Sequence, residues 1–473
     1  MNSTRIVLRD YQQKIIDILK SHENENVLIE LDCGLGKRII TYYLVNMIYP
    51  DKRIIIVVHS TASLNETVHY MLNEYGGVSG LEVISSRTAS NKRRMLLKNA
   101  RVIVTTPQIL ESILRDYDKL TGFDIVIINE VDTLIRRSSR NVVLKNPWYS
   151  LLPKLEDVWI IGMSGTLRDD HYVVDEMQIK IVSELKTLKR FIKDSYVITM
   201  SELMKTDIRK YVKPTRIFIQ LVDDPGTVEL LKAIDTRVNL IRKQIGIELR
   251  SEGFEDSLNQ VHFIIEQLPV DEDLKSEYMK LLMLRKYINA LSYKDYKKYL
   301  HATFGKNPFD LLNISTIPPR LSPKLFYILS IVNSHKKSVV IGSYLRALYD
   351  LRDILEKRKI PSYIITGKIR EKSEIITQFK NAKGTAVLLM SPVGERDLDI
   401  PDADVLIMID VINTVKTMYQ KLKRTRGGTV ILVGYKDTSE EKKIKRLVSN
   451  IIDRYPWSTI EETGEVPGTV SWD

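Results

Sequence analysis

The chain has 473 residues, enough for two or three domains that each bury a core. Hydrophobic residues make up 44% and charged residues 28%. With no apolar run of about 18 residues and no signal-peptide pattern, a membrane-spanning or exported protein is disfavoured and a cytoplasmic one expected. The 71 Lys and Arg against 60 Asp and Glu leave a net charge of +11, which favours a polyanionic partner, most simply nucleic acid. The single cysteine, Cys33, excludes an internal disulfide framework or a cysteine-based metal site.

Val27–Leu31 is an apolar run of strand length. Cys33-Gly34-Leu35-Gly36-Lys37-Arg38 follows as a glycine-rich turn, and Ile39–Val45 reads as a helix start. In that context backbone N–H groups and a helix N-terminus cradle phosphates, and the lysine reaches the outer ones. The residue after this lysine should be Ser or Thr, whose hydroxyl ligates Mg2+; here it is Arg38.

Further strands are expected at Arg53–Val58, Leu81–Ser85, Arg101–Thr105, Ile125–Ile128 and Val158–Met163, with helices across Leu64–Glu74 and Asn91–Leu97. From Pro225 to Leu312 the pattern becomes helical, with amphipathic stretches at Val228–Glu248 and Lys275–Leu300. Pro318, Pro319 and Pro323 mark a linker, after which strands resume at Ser338–Ile341, Ser362–Ile365, Thr385–Met390, Val405–Ile409 and Thr429–Val433. The alternation predicts an α/β fold with parallel sheets. The expected division is a first lobe at 1–222, a helical insert at 223–317, a second lobe at 318–455 and a loosely held tail at 456–473.

Seven local signals occur in order. They are Leu8-Arg9-Asp10-Tyr11-Gln12, the Gly34–Lys37 loop, Thr106-Pro107-Gln108, Ile128-Asn129-Glu130-Val131-Asp132, Ser164-Gly165-Thr166, the segment 391–401 and the segment 420–428. The series resembles the motifs of superfamily 2 helicases, and most of all archaeal Hef and its Fanconi-anaemia M-type relatives. The resemblance covers roughly residues 5 to 450 and implies two RecA-like lobes with a helical insert between them in the chain. Tyr211-Val212-Lys213 and Val393–Pro401 look specifically Hef-like. Hef's C-terminal nuclease module has no expected counterpart.

The resemblance implies roles position by position. Arg9 and Gln12 match the adenine-reading element, and Gly34, Gly36 and Lys37 the phosphate cradle. Glu130 matches the residue that positions or deprotonates the attacking water. Ser164 and Thr166 match the motif coupling nucleotide state to lobe closure. Thr106, Gln108, Ser391 and Val393 fall in motifs that contact the nucleic-acid backbone. Asp399 matches a ribose contact, and Arg424 the arginine motif that neutralises transition-state charge.

Departures from the family cluster at the metal and outer phosphate. Arg38 replaces a hydroxyl ligand by a cation, Asn129 replaces an acidic residue by a neutral amide, and Asp397 replaces a glycine near the phosphates. In the last motif Lys421 and Arg424 keep register, but Lys423 replaces a glycine and Arg426-Gly427 inverts the order expected of the family. Mg2+ demands near-octahedral oxygen ligation at about 2.0–2.1 Å. At an effective dielectric near 20, like unit charges about 4 Å apart cost about 4 kcal/mol, and a divalent ion roughly doubles that. The Arg38 guanidinium could itself pair with phosphate oxygens and partly replace the metal, so the expectation is ATP binding with doubtful Mg2+ and without efficient turnover.

Other features carry structural expectations. His59 and His69 lack metal-like partners in sequence, and no metal site is expected. Cys33 is expected to be a small buried filler. Tyr278, Tyr287, Tyr293, Tyr296 and Tyr299 are expected to pack in or at the edge of the insert's core. Lys92-Arg93-Arg94, Arg136-Arg137 and Lys294–Lys298 are either solvated faces or phosphate contacts. Three functions follow. The first is a pseudo-helicase that binds branched or duplex DNA as the partner of a separate nuclease or an active helicase. The second is an active ATP-dependent helicase with unusual metal ligation. The third is a protein–protein interaction module, supported by the altered segment His59–Ser63 but opposed by the basic charge.

Overall fold

The computed structural model describes residues 7–137, 141–175, 178–251, 265, 269–369, 372–392, 403–411, 415–423 and 428–461. The chain separates into two compact units, residues 1–175 with 179–212, and residues 176–178 with 213–473. No helix among the described residues is long and apolar enough to cross a membrane.

The first unit is built on β1 (Val27–Glu30), β2 (Ile54–Val57), β3 (Leu81–Ile84), β4 (Val102–Thr105), β5 (Ile125–Asn129), β8 (Trp159–Ser164) and β11 (Tyr196–Ile198). Their order in the sheet is β11-β1-β8-β5-β2-β4-β3, and every neighbouring pair is parallel. β1, β2 and β4 are buried along their whole length. Parallel strands are covered on both faces, which is why these segments read as unbroken apolar runs. Two small ribbons stand apart from the sheet: β6 (Ile135–Arg137) with β7 (Val142–Leu144), and β9 (Asp170–Asp175) with β10 (Gln178–Ser183).

The second unit carries β12 (Thr215–Val222), β13 (Lys337–Ile341), β14 (Ser362–Ile365), β15 (Ala386–Met390), β16 (Val405–Met408), β17 (Thr429–Tyr435) and β18 (Thr459–Glu461). Their order is β14-β15-β13-β16-β17-β12-β18, again parallel throughout. Two expected boundaries are corrected here. β12 lies before residue 222 but pairs with β17 over seven registered positions, Arg216 with Thr429 through Val222 with Tyr435, so the first unit ends at Val212. Thr459–Glu461, expected in the tail, extends the same sheet by pairing with β12. Residues 462–473 of that tail lie outside the described residues.

The insert contains the helices Pro225–Ser251, Glu272–Ala290, Tyr293–Phe304 and Pro308–Leu311. The expected stretch Lys275–Leu300 is thus two helices, with Leu291 extended and Ser292 starting the next one. Asp271 caps the Glu272–Ala290 helix, its Oδ1 accepting the Asp273 and Leu274 N–H groups at 3.0 Å each. Tyr278 and Tyr296 are buried and Tyr287, Tyr293 and Tyr299 are half-buried, as core and edge packing requires. The insert packs into the second unit instead of forming a body of its own. Ser292 Oγ and Lys294 Nζ both donate to Asp350, at 2.8 and 2.6 Å, and Arg346 pairs with Asp295 at 2.8 Å.

Candidate nucleotide site

The turn after β1 is held in a shape that only glycine takes without strain. Gly34 has φ +79° and Gly36 φ +87°. A Cβ on Gly36 would stand 2.4 Å from Gln12 Nε2, so a side chain there is strained by conformation and would push the Gln12 amide from its place. Gly36 is the N-cap of the helix Lys37–Tyr43, whose first turn holds the loop lysine. Lys37 Nζ donates to the Leu31 carbonyl at 3.1 Å and lies 3.7 Å from Glu130 Oε1. Burial alone would push this ammonium down, but Glu130, Cys33, Asp32 and Asp132 together hold its pKa above the ordinary lysine value. The lysine stays charged, as phosphate binding requires.

The element ahead of the loop is wired to it directly. Tyr11 Oη donates to the Leu35 carbonyl at 2.8 Å, and Gln12 Nε2 reaches the same carbonyl at 3.4 Å. Gln12 Oε1 accepts the Arg9 N–H at 3.0 Å, which ties the start of the helix Asp10–Ser21 to the same side chain. The Arg9 guanidinium lies 3.9 Å from the Tyr211 ring centroid, and Asp207 Oδ1 accepts the Tyr11 N–H at 3.0 Å. Tyr11 and Asp207 were not among the expected site residues. Tyr11 is fully buried beside Gln12, so the spacing Arg9-x-Tyr11-Gln12 was the available signal.

At the ends of β5 and β8 the next two motifs meet. Glu130 takes φ 57°, a left-handed conformation that non-glycine residues rarely adopt, and its carboxylate is carried toward Lys37. Asp132 Oδ1 accepts a hydrogen bond from Ser164 Oγ at 2.7 Å. Ser164 Oγ in turn accepts the Thr166 N–H at 3.2 Å and lies 2.9 Å from the Thr166 carbonyl. All three residues are buried, at 7%, 0% and 0% exposure. A Cβ added at Gly165 between them would lie in ordinary contact with Cys33 Sγ and Lys37 Nζ, at 3.5 and 3.6 Å, and Ser164 O accepts the Leu31 N–H at 2.9 Å. Asp132, quoted in its motif but given no role, is thus the bond that joins two motifs beneath the loop.

The two unusual positions are resolved differently. Arg38 turns away from the loop: Nη2 pairs with Glu66 Oε2 at 2.5 Å, and the guanidinium lies 4.7 Å from the Tyr70 ring centroid. Its charge is matched here by Glu66 on the neighbouring helix Thr61–His69, and not held among the loop's phosphate-binding groups. What is lost at position 38 is the oxygen ligand. Asn129 Oδ1 is buried and has no hydrogen-bond partner among the described residues. The loop therefore fits a nucleotide's phosphates, while the two positions at which the resemblance places the metal-holding groups offer Arg38, turned to Glu66, and the neutral amide oxygen of Asn129, a poorer fit to Mg2+ than a hydroxyl and a carboxylate.

Cys33 is exposed, not the buried filler expected, because it sits at the crest of the turn beside exposed Gly34. His69 is exposed and contacts Asn73 and Glu74. Arg93 donates to the Ser86 and Thr88 carbonyls, and Arg94 pairs with Asp116, which gives both a local structural role. Thr106 is the N-cap of the helix Pro107–Ile113 and is 7% exposed, whereas Gln108 is exposed on its first turn.

In the second unit Ser391 is buried at the end of β15, its N–H donating to the Ile365 carbonyl at 3.1 Å. Lys421 and Lys423 are 3% and 5% exposed, and Lys423 Nζ donates to the Lys213 carbonyl at 3.3 Å. Val393, Asp397, Asp399, Arg424, Arg426 and Gly427 lie outside the described residues.

A family model described as DEAD/DEAH box helicase matches residues 9–172, and one described as helicase conserved C-terminal domain matches residues 323–428. The chain is similar to the ATP-dependent helicase Lhr-Core of Methanocaldococcus jannaschii, at 24% identity over 54% of this chain and 34% of that protein. It is also similar to the DEAD-box ATP-dependent RNA helicase FANCM of Arabidopsis thaliana, at 22% identity over 94% of this chain and 36% of that protein. It therefore spans only about a third of the length of these two relatives. Among solved structures, the Hef helicase domain of Pyrococcus furiosus superposes with a TM-score of 0.62 at 16% identity, covering 93% of this chain and 98% of that one. Dbp5 of S. cerevisiae, bound to RNA and ADP BeF3, gives a TM-score of 0.51 at 12% identity over 96% of this chain and 89% of that one. These two likenesses show a common fold.

Proposed function

Starting from a chain that belongs with the superfamily 2 helicases of the Hef and Fanconi-anaemia M type, we propose that it binds duplex or branched DNA and nucleotide but hydrolyses ATP poorly. In this reading it serves DNA repair or recombination as a scaffold for a separate nuclease or an active helicase. One observation carries the reading: Arg38 is committed to Glu66 and Tyr70, and Asn129 supplies only a neutral oxygen at the other metal-holding position. The net charge of +11 supports a polyanionic partner.

The residues that bind, as opposed to those that hold a metal, are intact. Lys37 stays cationic and neutralises phosphate, while the left-handed loop glycines keep backbone N–H groups free of side-chain crowding. Glu130 is held within 3.7 Å of Lys37, where it orients a water or competes with phosphate for the lysine. Bound nucleotide would add stability by mass action even without turnover.

The alternative is an active ATP-dependent helicase with unusual metal ligation, favoured by the retained Lys37–Glu130 pair and the buried Asp132–Ser164–Thr166 chain. DNA-stimulated ATP hydrolysis with Mg2+ separates the two. The proposal expects background turnover in the native chain, fork binding that weakens with salt, and a gain of hydrolysis in the double variant Arg38→Thr with Asn129→Asp. Native turnover that Lys37→Ala abolishes would overturn it. Fork binding that is absent, or indifferent to salt, would point instead to a protein–protein module.

A further inference from the structure

Away from the phosphate loop, the first unit gathers three side chains of metal-ligand type that no sequence motif announces. Asp169 precedes β9, His171 lies on β9, and Glu184 opens the helix Glu184–Phe191. The Glu184 N–H donates to the Asp169 carbonyl at 2.9 Å, which fixes the helix start against the entrance to β9. One ligand atom from each of the three lies within 4.8 Å of the other two.

Glu184 is 1% exposed and Asp169 and His171 are half-buried, so the three groups converge in a largely enclosed place. His171 Nε2 is buried and has no hydrogen-bond partner among the described residues. It lies 3.7 Å from Glu184 Oε2, too long for a hydrogen bond. Two ligands on a tetrahedral ion with bonds of about 2.1 Å stand roughly 3.4 Å apart, close to this separation. Drawing the third atom in requires a movement of roughly 1 Å, within reach of side-chain rotation.

We propose that Asp169, His171 and Glu184 form a binding site for a divalent transition-metal ion. The imidazole nitrogen selects for ions such as Zn2+, whereas Mg2+ and Ca2+ prefer oxygen alone. Three protein ligands leave coordination positions for water. The site does not include Arg38 or Asn129 and is separate from any nucleotide-bound metal. Its structural effect falls on the segment after Thr166, where Arg168 already donates to the buried Glu30 at 2.7 and 2.8 Å. An ion at Asp169 would anchor the other end of that segment.

The test uses the full chain, stripped with chelator and free of nucleotide, titrated with Zn2+ in equilibrium dialysis with metal analysis. The expected result is one equivalent bound, with affinity reduced about tenfold or more in Asp169→Asn and in His171→Ala. Asp169 is half-buried, so Asp169→Asn keeps the test valid if His171→Ala fails to fold. Zn2+ should raise the thermal midpoint of the native chain, and raise that of Asp169→Asn less at the same concentration. Lys37→Ala should bind Zn2+ as the native chain does, and so should the surface control His22→Ala with His69→Ala. Absence of stoichiometric uptake, uptake unaltered in Asp169→Asn, or loss of uptake in the surface control would overturn the proposal.

Discussion

Lys324→Met removes the cation from a fully buried ion pair, and its cost follows from what it leaves behind. Lys324 is 0% exposed and Glu440 3%. Lys324 Nζ donates to both Glu440 oxygens at 2.7 and 2.8 Å and to the Ile409 carbonyl at 3.1 Å, while Glu440 Oε2 also accepts the Tyr435 N–H at 2.9 Å. Removing one partner of such a pair costs about 3–5 kcal/mol, because the other charge stays buried.

The pH dependence sharpens this expectation. Burial already holds the Glu440 carboxyl above the usual glutamate value, with the Lys324 charge and hydrogen bonds opposing the rise. Without Lys324 the folded value rises further, so the folded state binds a proton that the unfolded state, titrating near the ordinary value of about 4.3, releases. Stability of the variant is then greatest below that ordinary value and is lost as pH rises through the folded one, at about 1.4 kcal/mol per pH unit. The deficit against the native chain should therefore shrink as pH falls toward the ordinary glutamate value. Equilibrium urea unfolding, with hydrogen exchange at the β17 amides to isolate the second unit, measures it. Replacing both residues, Lys324→Met with Glu440→Leu, should recover at least about 1 kcal/mol while still leaving the Tyr435 N–H unpaired. A deficit below about 1 kcal/mol, or one independent of pH, would refute the reasoning.

Gly36→Ala should abolish nucleotide binding measured by fluorescent-analogue titration and lower stability by about 1–3 kcal/mol, since its φ of +87° and the Gln12 amide both oppose a side chain. Ser164→Ala removes a charge-assisted bond to Asp132 and should cost about 1.5–3 kcal/mol in urea unfolding of the first unit. Lys443 is driven down to about 8, chiefly by burial and also by Arg285 and Lys286, against the pull of Glu440. Its unfolded form binds the proton more tightly, so native stability should rise with pH between about 8 and about 10.4. Lys443→Met should flatten that rise and gain about 1–2 kcal/mol near neutrality, after allowing for partial exposure and the lost bond to Val411.

The strands were legible because burial on both faces writes itself as continuous apolar sequence; Ile54–Val57 and Ala386–Met390 are examples. What chain order could not reveal was pairing. Thr215–Val222 precedes the insert in sequence yet closes the sheet formed after it, and Thr459–Glu461 adds to its edge. Hydrogen bonds across some 200 residues leave no periodic trace. The motifs predicted which residues would gather at the loop, since Gln12, Gly36, Lys37 and Ser164 meet there through short-range turns at strand ends. Side-chain direction was the hidden variable. Arg38 stands one residue from the loop lysine, and sequence alone placed its charge among the phosphates. Its ion pair with Glu66 and its contact with Tyr70 send it to the next helix. An arginine facing phosphate would substitute for part of a metal's charge, whereas Arg38 is paired with Glu66 in this structure. The proposal of impaired hydrolysis then rests on the oxygen absent at position 38 and the negative charge absent at position 129, which is why restoring the hydroxyl and the carboxylate together is the decisive substitution.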